Sequence, residues 1–103
     1  MKKLKQKILY MNGTKKRVGD IKSIYQNIEF TINLLHTSLI STNNCVTFLY
    51  PWGHMIIYTF PQEKLITLEF LYPIWNDKID KIIQASVDIF QPITHEIKEI
   101  KRC

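Results

Sequence analysis

Glycine occurs only three times in the 103 residues, as Gly13, Gly19 and Gly53. Neither a G-x-G-x-x-G dinucleotide turn nor a Walker phosphate loop can therefore be written anywhere in the chain. Cysteine is scarcer still. Cys45 and Cys103 supply neither a Cys₄ zinc site nor a disulfide framework, and a reducing compartment fits them best. Long apolar runs are also missing. The stretch from Ile8 to Met11 behind Met1-Lys2-Lys3 is far below the ~7–15 residues of a signal-peptide core, and no window approaches a membrane span. These absences point to a soluble intracellular protein with no membrane partner.

What is present is ordinary for one folded domain spanning residues 1–103: 46% hydrophobic, 12% aromatic and 22% charged residues. The net charge of +5 raises nucleic acid as a partner, but its position weakens that reading. Seven of the fourteen Lys and Arg residues, Lys2, Lys3, Lys5, Lys7, Lys15, Lys16 and Arg17, lie in the first seventeen positions. The excess reads as a solvated N-terminal property.

Leu4 to Met11 reads as a strand ended by the Asn12-Gly13 turn signal. Asp20 then caps a helix whose stripe Ile24, Ile28, Ile32, Leu35 and Leu39 predicts continuation to about Ser38 or Ile40, closed by Ser41-Thr42-Asn43-Asn44. Cys45 to Tyr50 is a short β-branched and aromatic strand running into the reversal Pro51-Trp52-Gly53. His54 to Phe60 and Leu65 to Tyr72 follow as strands joined by Pro61-Gln62-Glu63-Lys64. Asn76 caps a second helix, with Asp77 and Asp80 near its start and Ile79, Ile82, Ile83 and Phe90 as its buried stripe. Pro92 stops it, and Thr94 to Lys101 forms a charged, edge-like final strand. The order β-α-β-β-β-α-β predicts an α+β fold: an antiparallel sheet with two helices on one face, ferredoxin-like in topology.

Strand alternation splits the central hairpin into two faces. If Phe60 pairs with Leu65, Tyr58 faces Thr67 and Ile56 faces Glu69. Met55, Ile57, Thr59, Ile66, Leu68, Phe70 and Tyr72 then share a face apolar enough to receive both helices. The other face carries His54, Ile56, Tyr58, Phe60, Leu65, Thr67, Glu69 and Leu71, too apolar for bare solvent, which predicts a homo-oligomer. A carboxylate in mid-strand there needs a cationic partner once it loses water. Three readings of Glu69 stay open: exposure or pairing with a Lys or Arg, acid/base work, or recognition of a cationic small molecule beside Tyr58.

The segment His54-Met-Ile-Ile-Tyr58-Thr-Phe-Pro61, followed by Leu68-Glu69-Phe70-Leu71, resembles the central hairpin of the small prokaryotic S-adenosylmethionine decarboxylases. There a His-Leu-Ser-Ile-His-Thr-Trp-Pro segment runs into an apolar strand carrying an acid. The departures are chemical. Gly53 stands where that family's self-processing serine would be, Tyr58 replaces its proton-handling histidine, and Pro73 falls where it has a cysteine. Without the serine, the chain looks more like the phage-encoded S-adenosylmethionine lyases, formerly called hydrolases. That resemblance implies catalytic roles for Tyr58 and Glu69, a homotrimer with sites between subunits, and cleavage of S-adenosylmethionine to 5′-methylthioadenosine and homoserine lactone. It implies no metal and no cofactor, a place in the host cell cytoplasm, and an anti-restriction effect through loss of the methyl donor.

His54, Phe60 and Trp52 are further candidates for touching the substrate. His36 and His95 lack metal-ligand spacing and read as structural or surface residues, and Trp52 and Trp75 serve first as packing anchors. Ser23, Ser38, Ser41 and Ser86 form no nucleophile motif. Two other functions compete. A basic ferredoxin-like module binding nucleic acid draws on Tyr58, Phe60 and the N-terminal lysines, though Glu69 would repel phosphates. The other is a non-catalytic S-adenosylmethionine-binding protein.

Overall fold

In the computed structural model, residues 4–15, 20–73 and 76–102 are described. Lys2, Lys3, Lys16, Arg17, Gly19, Trp75 and Cys103 lie outside them.

The first strand, β1 (Leu4–Asn12), ends at Gly13, whose φ of +69° suits a residue without a Cβ. Helix α1 (Ile21–Thr31) starts at Asp20, which accepts hydrogen bonds from the Ser23 amide and hydroxyl. Those two donors hold the Asp20 carboxyl below its ordinary pKa. The helix is shorter than its apolar stripe predicts. Asn33 adopts a left-handed φ of +57°, its amide donates to the Phe30 carbonyl, and the Leu34 amide donates to that of Glu29. Together these bonds form a Schellman stop with asparagine in the glycine position. Leu35 is consequently exposed, and Leu39 reaches the core from a strand, β2 (Ser38–Ser41), that the helical spacing concealed.

Strands β3 (Cys45–Tyr50), β4 (Gly53–Phe60) and β5 (Leu65–Tyr72) follow as expected, with a 3₁₀ turn over Pro61–Glu63 between the last two. Lys64, left-handed at φ +52°, receives the Gly13 and Thr14 amides on its carbonyl and ties this turn to the end of β1. Helix α2 (Lys78–Phe90) begins one residue later than Asn76 alone predicts. The N-cap position falls on Asp77, but it is the Asn76 side chain that accepts from the Lys78 amide. Gln91, left-handed, and Pro92 end the helix before the last strand, β6 (Thr94–Arg102).

All six strands pair antiparallel in the order β2-β3-β4-β5-β1-β6. Removing β2 and β3 leaves β4-β5-β1-β6 with a helix after β1 and another after β5, the ferredoxin-like arrangement. The two added strands extend the sheet beyond β4. One face is core: Leu9, Met11, Val46, Phe48, Met55, Ile57, Ile66, Leu68 and Phe70 meet Ile21, Tyr25 and Ile28 of α1 and Ile79, Ile82, Ile83 and Phe90 of α2. Two hydroxyls within it pair with each other. Tyr25 and Ser86 share a hydrogen bond of 2.8 Å, and Ser86 donates to the Ile82 carbonyl. Lys7 departs from the reading of solvated N-terminal charge: it is buried, with Glu99 at 3.1 Å and Asp80 at 3.7 Å.

Candidate functional site

The hairpin register deduced from the turn is the one observed: Phe60 opposite Leu65, Tyr58 opposite Thr67 and Ile56 opposite Glu69. Strand β1 on the far side of β5 completes the surface around Glu69, because Ile8 lies directly opposite Glu69 and Gln6 opposite Leu71. Across the sheet, the face away from the helices therefore reads Ile56, Glu69, Ile8, Lys98 in one row. The next row is Cys45, Tyr58, Thr67, Tyr10, Glu96, and the row on the other side is His54, Leu71, Gln6, Ile100. No helix among the described residues covers this face.

Glu69 is half-buried between Ile56 and Ile8, and its carboxylate accepts a hydrogen bond from the Gln6 side-chain amide. Among the described residues it enters no ion pair. No described side chain supplies the expected cation, and a neutral amide holds one oxygen in place. A charged carboxylate so placed retains capacity for a cationic hydrogen-bond donor on its second oxygen. Tyr58 sits diagonally across β4 and β5 from Glu69, a separation of about 7–8 Å between backbone positions for such pairs. Partial burial, the facing Cys45 thiol and the Glu69 carboxylate all raise the Tyr58 pKa, so the phenol stays neutral and able to donate at physiological pH.

His54 shares this face, two residues from Ile56 and opposite Leu71, and Phe60 stands exposed at its end beside the turn. Trp52 is not brought to it. Its ring stacks on Tyr50 at 4.7 Å and 6° and packs against the core on the helix side, with Nε1 buried and unpartnered among the described residues. His95 is exposed in β6. His36, expected to be structural, contacts both oxygens of the buried Glu29 through Nδ1, at 2.8 and 3.1 Å, while the Tyr50 hydroxyl donates to Glu29 at 2.8 Å. This network clamps the C-terminal end of α1 onto β3 from the helix side.

Gln6 is the site residue that sequence reasoning missed. Alternation along β1 places it on the open face, but its pairing to Glu69 depends on a contact 63 residues away in sequence. Among the described residues no three His, Cys, Asp or Glu side chains gather as metal ligands, and no helix is long and apolar enough to cross a membrane.

The sequence matches no family model and no curated protein. Solved structures do share the fold, and one of them is an enzyme of S-adenosylmethionine decarboxylation. That structure is the adenosylmethionine decarboxylase from Aquifex aeolicus VF5, with a TM-score of 0.70 and 16% identity, over 96% of this chain and 89% of that one. At this identity the likeness is one of fold.

Position 53 separates this chain from the self-processing chemistry that its hairpin resemblance raises. Gly53 has a φ of +154°, and a Cβ built there would lie 2.1 Å from the Leu71 carbonyl oxygen, inside any van der Waals contact. There is neither a hydroxyl to rearrange nor space for one. Residue 53 therefore offers no serine from which a pyruvoyl group could be made.

Proposed function

We propose that the protein cleaves S-adenosylmethionine by intramolecular lactonisation, giving 5′-methylthioadenosine and homoserine lactone. The observation that carries this reading is Glu69: a mid-strand carboxylate, half-buried among apolar residues, oriented by Gln6 and without a cation among the described residues. A substrate bearing a sulfonium and an α-ammonium group supplies that cation. The fold shared with an adenosylmethionine decarboxylase and the unfit position 53 support an S-adenosylmethionine enzyme that works without a pyruvoyl group.

The reaction asks for positioning. The substrate's own carboxylate oxygen attacks its γ-carbon, the carbon–sulfur bond breaks, and the electron pair leaves on sulfur as a neutral thioether. No proton moves, so neither a protein nucleophile nor a base is needed. Glu69 anchors the α-ammonium, the neutral Tyr58 hydroxyl orients the folded substrate for in-line attack, and His54 and Phe60 border the substrate on the same face. The tether between carboxylate and γ-carbon is the substrate's own, so the protein supplies only the selection of the folded conformer with the two reacting atoms in line, a fraction of the roughly 7–11 kcal/mol that separates well-oriented intramolecular reactions from bimolecular ones. Ile56, Ile8 and Leu71 lower the local polarity, which favours a transition state in which carboxylate and sulfonium charges cancel. The same apolar character supports a neighbouring copy closing the site, in a homotrimer acting in the cytoplasm. Depletion of the methyl donor there would interfere with methylation-dependent restriction.

Mass spectrometry of the purified protein incubated with S-adenosylmethionine tests the reading. Methylthioadenosine and homoserine lactone are expected. Glu69→Gln keeps an acceptor for the Gln6 amide, so the fold is retained while lactone formation falls by about 10²-fold or more, the cost of removing one partner from a desolvated charge pair. Full turnover by that variant would sink the assignment. Binding without product identifies a non-catalytic S-adenosylmethionine protein, and absence of both returns the nucleic-acid reading.

A further inference from the structure

Strand β6 is an outer edge of the sheet, paired over its nine residues with β1 and, among the described residues, with nothing beyond it. An edge of this length presents alternate N–H and C=O groups for further pairing, and proteins blunt such edges with charged side chains, lysine above all, with proline or with a bulge. Neither proline nor a bulge interrupts β6, whose register with β1 runs unbroken from Leu4 opposite Arg102 to Asn12 opposite Thr94. The strand is charged, but Glu96, Lys98 and Glu99 are of both signs, so the charges oppose pairing in some registers and favour it in others, and Ile97 and Ile100 are 45% and 40% exposed. From this we infer that β6 is an association edge for a second copy of the chain, paired antiparallel about a twofold axis at Ile97.

The register follows from charge. A twofold axis that joins two antiparallel edges stands normal to the sheet and keeps each face on its own side, so residues opposite one another share a face. On the open face of β6 lie Glu96, Lys98 and Ile100, and on the helix face His95, Ile97 and Glu99. With the axis at Ile97, Glu96 of each copy meets Lys98 of the other, His95 meets Glu99, and the two Ile97 side chains meet at the centre. Every charged pair is then of complementary type, and two half-exposed isoleucines are buried. An axis at Lys98, at Glu96 or at Glu99 sets two like charges directly opposite each other, and an axis at Ile100 sets Lys98 at the register position of Arg102. Glu99 is already held by Lys7 at 3.1 Å, and Lys98 lies 5.4 Å from the centroid of the Tyr10 ring, so both side chains are placed before association. The result is a continuous twelve-stranded sheet. The faces bearing Tyr58 and Glu69 stay uncovered on one side of it, so edge pairing does not compete with a copy seated over the site.

Sedimentation of the full chain tests this through charge reversal. Glu96→Lys turns both cross-axis Glu–Lys pairs into Lys–Lys pairs, and Lys98→Glu turns both into Glu–Glu pairs. Each single reversal is expected to raise the dissociation constant by about tenfold or more and to halve the assembled mass. The double variant E96K/K98E exchanges the partners, restores both attractions and regains the wild-type mass. Circular dichroism melting confirms that each variant is folded. A monomeric wild-type protein, an unchanged mass for Glu96→Lys, or a folded double variant that stays at half mass overturns the proposal. S-adenosylmethionine cleavage, read in parallel, is expected to survive all three substitutions, so loss of the edge and loss of the proposed activity are told apart.

Discussion

Replacing Gly53 by serine restores on paper the residue that the decarboxylase hairpin carries at this point, and the structure predicts that it restores nothing. A Cβ at position 53 meets the Leu71 carbonyl oxygen at 2.1 Å, with the Leu71 carbonyl carbon and the Tyr72 Cα at 3.1 Å. The obstructing atoms are backbone of the neighbouring strand, which cannot rotate away as a side chain does. Relief requires β4 and β5 to separate by about 1 Å at the very point where His54 faces Leu71. Overpacking of this kind costs about 1–3 kcal/mol. The backbone adds about 1–3 kcal/mol more, because a φ of +154° is strained for any residue with a Cβ. A total of about 4 kcal/mol is a large share of the ~5–15 kcal/mol that stabilises a typical domain. For a chain of this size it lowers the melting temperature by about 15–30 °C. Urea titration followed by circular dichroism reads the loss, and denaturing electrophoresis after long incubation reads self-cleavage, with no second band expected. A Gly53→Ser protein that unfolds at the wild-type midpoint, or that cuts itself before residue 53, refutes the reasoning.

The remaining predictions concern the helix stop and the buried phenols. Asn33→Gly is expected to match or raise wild-type stability and Asn33→Ala to lower it by about 1 kcal/mol, since only the second places an ordinary Cβ in the left-handed region; equal urea midpoints for the two would contradict the Schellman geometry. Burial pushes the Tyr25 phenol above its ordinary pKa, and burial together with the hydrogen bond and charge of Glu29 does the same to Tyr50. Both groups hold their proton more tightly folded than unfolded, so their contribution to stability is complete below about pH 10 and is lost as the pH rises through their folded values. Unfolding midpoints measured from pH 8 to 11.5 should stay level and then fall, with the phenolate absorbance of Tyr25 and Tyr50 appearing only together with unfolding; ionisation of all five tyrosines well before unfolding would count against it.

The central hairpin was legible in the sequence because its register is local. Pro61 to Lys64 sets which residues face each other, and alternation then assigns every side chain from His54 to Tyr72 to a face. The length of α1 was not, because Leu35 and Leu39 continue a helical spacing as well as they fit a loop and a strand. What decides between them is one residue, Asn33, whose left-handed backbone is stabilised only when the Phe30 and Glu29 carbonyls are available to receive the following amides. The environment of Glu69 depends on still more distant information. Whether a mid-strand carboxylate finds Lys, Arg or a neutral amide is settled by the β1–β5 register, which brings Ile8 opposite Glu69 and Gln6 within reach of it. Shifting β1 by two residues would put Lys98 and Tyr10 in a different relation to Glu69 while leaving the apolar pattern of both strands intact. The side-chain pattern therefore identifies the face, and the long-range register identifies what the carboxylate lacks. Glu29 shows the converse. It too is a buried carboxylate, but His36 and the Tyr50 hydroxyl occupy its oxygens from within the chain, so it has no call for a ligand. Of the two, Glu69 alone has an oxygen without a side-chain partner among the described residues and opens toward solvent, and that difference in partners, not the shared residue type, is the physical reason to look for a substrate on the sheet face and for structure under the helices.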